Sequence, residues 1–128
     1  VGVRAADSVP MIPVIVFSTA ASLAEATRIA DALVEERLAA CVTVVPGARS
    51  VYRWQGRVEH ADEVLLVVKT VAARLEALTA RVRALHSYEV PELVAVPITG
   101  GWPPYLAWLA DEVAAPDSGP APASGAAP

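Results

Sequence analysis

The run His86-Ser87-Tyr88-Glu89-Val90-Pro91-Glu92 places an imidazole and a carboxylate in one short segment between a helix and a strand. His86 with Glu92 could offer one nitrogen and one oxygen to a divalent metal. At a helix C-terminus the same histidine would instead interact with the dipole and the free carbonyls of the last turn. Two ligands do not define a site, so the second reading is preferred unless symmetry brings ligands from another subunit. Glu59, His60, Asp62 and Glu63 form a second polar group. Strand alternation sets His60 and Asp62 on one face, Glu59 and Glu63 on the other. A solvated charge run that protects a strand edge is preferred there over a metal site.

Lys69 is the sole lysine, and its same-face neighbours on a strand are Val67 and Leu65. It could bind an anion or pair with a buried carboxylate, and structural pairing is the preferred reading. Cys41, the only cysteine, has no cationic neighbour in sequence to activate its thiol and reads as a small buried hydrophobe. Gly100-Gly101 before a helix could expose amides to a phosphate, but lacks the full glycine-rich signature and reads as a loop. No Ser-His-Asp or Cys-His set is identifiable.

These residues need elements to position them. The chain has 128 residues, enough for one domain, and is 55% hydrophobic with 19% charged residues, which excludes disorder throughout. A net charge of −4 provides no basic surface for nucleic acid or an anionic membrane. A single cysteine excludes an intrachain disulfide and a cysteine-built zinc site. No signal-peptide pattern and no long apolar run is seen, so the cytoplasm is the expected compartment.

Met11 to Ser18 reads as a buried strand. Ser22 and Glu25 have capping-box spacing. The apolar positions Leu23, Ala26, Ile29, Ala30, Leu33, Val34 and Leu38 then recur at helical period, with Glu25, Arg28, Asp31 and Glu35 elsewhere on the cylinder. Residues 41–54 and 56–70 read as two arms of a hairpin, interrupted at Pro46-Gly47 and turning at Gln55-Gly56. Val71, Leu75, Leu78, Val82 and Leu85 mark a second helix, and Leu93 to Thr99 a last strand. Pro103 opens a third helix that includes Tyr105, Leu106, Trp108, Leu109 and Val113. Residues 1–10 are set apart as an N-terminal extension, 11–115 as the domain, and 116–128 as a disordered Pro/Ala-rich tail. The order βαββαβ plus a helix predicts an α+β, ferredoxin-like antiparallel sheet with both main helices on one face.

The hairpin arms are about twice the length of the outer strands and would project roughly 20 Å beyond the sheet. They carry Val51, Tyr52 and Trp54, and monomers avoid long apolar edges of this kind. Burying these three side chains would contribute on the order of 5 kcal/mol before association costs, so neighbouring subunits are expected to cover them.

Taken together the segments resemble the CutA family of divalent-cation tolerance proteins. The resemblance rests on Leu38-Ala39-Ala40-Cys41, Pro46-Gly47-Ala48, Ser50-x-Tyr52-x-Trp54-x-Gly56 with Glu59 and Glu63, and Lys69-Thr70. It continues through His86-x-Tyr88-x-x-Pro91-Glu92-Leu93, Pro97 and Tyr105-Leu106-x-Trp108-Leu109. It implies a homotrimer whose hairpins exchange edge contacts, similarity to trimeric PII signalling proteins, a role in metal tolerance (copper above all) and no established enzymatic activity. Family members proposed to bind copper carry a cysteine where this chain has Ser18, and a histidine pair where it has Leu85 before His86. Glu92 is retained. A hydroxyl is a poor ligand for cuprous ion, so the resemblance implies weak copper or other divalent-metal binding at His86 and Glu92. The alternatives are a PII-like regulator holding an anionic ligand between subunits through Lys69 and Tyr88, and a trimeric scaffold for protein partners.

Overall fold

The computed structural model describes residues 11–114. The expected N-terminal extension (1–10) and Pro/Ala-rich tail (116–128) lie outside the described residues. Strand β1 spans Pro13–Ala20, helix α1 Leu23–Glu35, β2 Cys41–Trp54 and β3 Arg57–Val71. A 3-10 turn at Ala72–Arg74 leads into α2, Leu75–Leu85, followed by β4, Val94–Pro97, and α3, Pro103–Glu112. The sheet order is β2-β3-β1-β4, with every neighbouring pair antiparallel. This is the ferredoxin-like arrangement.

Val14, Val16, Val64, Leu66 and Val68 point from the sheet into a core shared with Ala26, Ile29 and Leu33 of α1 and Leu78 and Val82 of α2. Successive strand residues alternate faces, so Ile15, Phe17, Leu65, Val67 and Lys69 share the opposite face. There α3 covers only one end, packing Leu109 and Val113 on Val71 and Ala40. Two arginines hold the C-terminal end of α3. Arg74 Nε donates to the Val113 carbonyl at 2.8 Å, and the Arg37 guanidinium to that of Glu112 at 3.2 Å. They satisfy carbonyls left without intrahelical donors.

Several boundaries differ from the sequence-based expectation. The first strand lies two residues later than predicted, because its ladder with β3 continues to Ala20 opposite Val64. The last strand shrinks to four residues. It pairs only with Val14 to Phe17 of β1; the Ile98 N–H still donates to the Pro13 carbonyl at 2.9 Å, but Pro13 has no N–H to return the bond. On α1, Leu23 and Val34 are exposed. Val34 lies about 100° around the cylinder from buried Leu33, outside the core stripe. Glu25, expected on the polar side, is buried.

The interruption at Pro46-Gly47 is a β-bulge. Cys41 to Val45 pair with Lys69 to Leu65, but the ladder resumes at Ala48 opposite Glu63, so β2 holds one extra residue. Gly47 adopts φ +86°, and Gln55 and Gly56 at the hairpin turn both have positive φ, as a type I′ turn requires. A side chain at Gly47 would meet no atom within 4 Å, so substitution there costs only backbone strain. Gly47→Ala is expected to lower stability by about 1–2 kcal/mol, read as a lower urea midpoint with an unchanged far-UV spectrum. An unchanged midpoint would show that the bulge does not require glycine.

Candidate functional site

The segment after α2 is bound to the ends of α1 and β1 and to the middle of β3. Ser22 caps α1 by accepting from the Glu25 N–H at 3.1 Å. The Glu25 carboxylate does not close the box on Ser22. It accepts from the Ser87 N–H at 2.6 Å, the Ser87 hydroxyl at 3.0 Å and the Ala21 N–H at 3.2 Å. Burial pushes the Glu25 carboxyl upward. The Ser87 amide and hydroxyl and the Ala21 amide outweigh it, holding the group below its usual value.

His86 has a fully buried side chain. Its Nε2 lies 2.7 Å from the Thr19 carbonyl, an acceptor, so Nε2 carries the hydrogen and donates. Its Nδ1 then accepts from the Tyr88 N–H at 3.0 Å. Both ring nitrogens are therefore committed inside the chain. Tyr88 packs on the imidazole, with ring centroids 4.7 Å apart, and its hydroxyl donates to Glu63 Oε2 at 2.7 Å. Burial, then the bond to Glu63, pushes the Tyr88 phenol well above its ordinary value, so it stays a donor.

Past the last β1 pair, the hairpin and this segment enclose a cleft of about 630 Å³. Ser50, Val51, Tyr52, Trp54 and Glu63 line it from the hairpin, Thr19 from β1, and Tyr88, Glu89, Val90 and Glu92 from the segment. Among the sequence-derived candidates, Val51, Tyr52, Trp54, Tyr88 and Glu92 thus share one cleft. His86 is sealed behind it. Lys69 lies far along β3, opposite Ile15 and Cys41, and does not line it. Glu63, read from sequence as part of a solvated charge run, is 7% exposed, because Tyr88 reaches over it. Nothing in the sequence marks Glu25 and Ser87, 62 residues apart, as partners. The capping-box spacing was the only signal for Glu25, and it pointed to a local role.

The residues do not fit a metal centre in one chain. Nitrogen lone pairs of His86 are unavailable, and Ser18 is 3% exposed with its hydroxyl unpartnered among the described residues. No three His, Cys, Asp or Glu side chains among the described residues converge on a geometry that holds a metal ion. Gly100-Gly101 precede α3 as a loop, and no side chain caps that helix.

A depressed carboxyl contributes stability above its unfolded value of 4.5, and this contribution is lost as pH falls through the folded value. Glu25→Gln is expected to lower stability at neutral pH by roughly 1–3 kcal/mol. It should also flatten the fall in stability seen by urea denaturation between about pH 5 and pH 3. Parallel pH profiles for the variant and the parent would refute this role.

Residues 14–112 match the family described as CutA1 divalent ion tolerance protein. The divalent-cation tolerance protein CutA of Thermus thermophilus is 55% identical over 74% of this chain and 92% of that protein. The chloroplastic protein CutA of Arabidopsis thaliana is 44% identical over 84% of this chain, which spans only 59% of that longer relative. Among solved structures, the divalent cation tolerance protein of Thermus thermophilus superposes with a TM-score of 0.78 at 51% identity, covering 79% of this chain and 98% of the other. Sequence and fold agree: the chain belongs to the CutA1 divalent ion tolerance family.

Proposed function

We propose that this chain works as a homotrimeric, non-enzymatic divalent-ion tolerance protein, acting through its assembled surfaces and not through a copper centre built from His86 and Glu92. The observation that carries the assembly reading is the projecting hairpin. Val51 is 61% exposed, Tyr52 45% and Trp54 44%, on arms that no other element among the described residues covers along their outer half. Val94 and Val96 on the short edge strand β4 are exposed as well. Edges of this length and apolarity are what a second copy buries. The commitment of both His86 nitrogens supports the second half of the reading.

The PII-like alternative, an anionic ligand held by Lys69 and Tyr88, has less support. The cleft of one chain carries Glu63, Glu89 and Glu92, and no basic side chain among the described residues lines it.

Light scattering at micromolar concentration is expected to give three times the 13.3 kDa chain mass, with Trp54→Asp shifting the mass downward. A monomer mass for the parent protein would overturn the assembly reading. Calorimetric titration with Cu²⁺ tests the rest. His86→Ala, at a temperature where circular dichroism shows it folded, is expected to give the parent's heats. Copper heats that vanish in that variant would restore a metal role for His86.

A further inference from the structure

We propose that Lys69 of one copy pairs with Glu63 of the next, so that the acidic cleft is completed by a lysine from a second subunit. The inference rests on the assembly reading above and adds its central polar contact. Glu63 is 7% exposed. One carboxylate oxygen accepts from Tyr88, and no Lys, Arg or His of the described residues comes within ion-pair distance. A carboxylate buried to this degree without a cation is costly. Tyr88 supplies a hydrogen bond and no charge.

Of the half-buried basic side chains among the described residues, Arg37 and Arg81 pair with Glu112 and Glu36, and Arg74 is engaged by the Val113 carbonyl. Lys69 is half-buried, and no carboxylate of the described residues lies within ion-pair distance of it. The bulge is in β2, so β3 keeps strict alternation, and residues 63, 65, 67 and 69 share one face. Glu63 and Lys69 therefore look out from the same side of the same strand, separated by roughly 20 Å. One lysine side chain cannot span that distance, so the two cannot meet within a chain.

Between them the face is apolar: Leu65 and Val67 on β3, with Phe17 beside Val67 and Val94 beyond it. Covering such a face removes water from both charges, which penalises them unpaired and strengthens them paired. A second copy laid on this face brings a Lys69 and a Glu63 of its own. In a head-to-tail ring each subunit gives its lysine to one neighbour and receives one from the other. Arg49, Arg53 and Arg57 are exposed to solvent and have no such need of a partner.

The test is a charge exchange followed by sedimentation in mild urea. Lys69→Glu and Glu63→Lys should each raise the subunit dissociation constant roughly 100-fold, and the double exchange should return it to within about tenfold of the parent. Because reversal at Glu63 also disturbs Tyr88, a gentler cycle with Lys69→Met and Glu63→Gln is run beside it. There the double variant should lose less than the product of the single losses. Parent-like assembly of the single variants, or losses that simply multiply, would overturn the pairing while leaving the trimer standing. A monomeric parent protein would instead remove the assembly reading on which the pairing rests.

Discussion

Fifteen residues of β3 run beside only eight of β1, and most of the structure follows from that mismatch. The ladder ends at Ala20 opposite Val64. Beyond it the hairpin is a two-stranded ribbon, and such ribbons are marginal alone in water. The segment from His86 to Glu92 fills the corner left where β1 stops, and the cleft is the space it does not fill. Glu63 stands at the first position of β3 beyond the β1 ladder, where the sheet ceases to be three strands wide.

The corner is held by buried polar contacts in place of hydrophobic packing. Glu25 takes three hydrogen bonds and His86 two, joining the ends of α1, β1 and α2 to one loop. Networks of this kind fix a unique geometry only when every member is satisfied. That requirement separates His86 from metal chemistry, since freeing a ring nitrogen would break a contact to Thr19 or Tyr88. Family membership and the metal-tolerance label are therefore compatible with a histidine whose work is to aim Tyr88 at Glu63.

The hairpin was legible in the sequence because its signals are local: β-rich arms, Gln55-Gly56 at the turn, and an apolar run from Val64 to Val68. Both main helices were legible from periodicity. The polar contacts were not, because their partners are remote. Ser87 lies 62 residues from Glu25, Thr19 lies 67 from His86, and Tyr88 lies 25 from Glu63. A buried glutamate and a solvated one look alike until the chain folds. The ends of β1 and β4 were misplaced for a related reason: a strand stops where its partner's ladder stops, and β-propensity does not report that.

The single extra residue at Pro46-Gly47 sets the phase of everything beyond it. Before the bulge, Val42 and Val44 share a face with Val68 and Leu66; after it, Ser50, Tyr52 and Trp54 fall in step with Ala61, Glu59 and Arg57 instead. Without the insertion, the two aromatic rings would turn to the helix side of the ribbon and leave the cleft without its wall. The outer arm can therefore lengthen or shorten over evolution only by residues taken in pairs, whereas a one-residue change must be answered by a second bulge. Arm length in this chain is thus quantised, and its parity is as much a part of the site as any side chain.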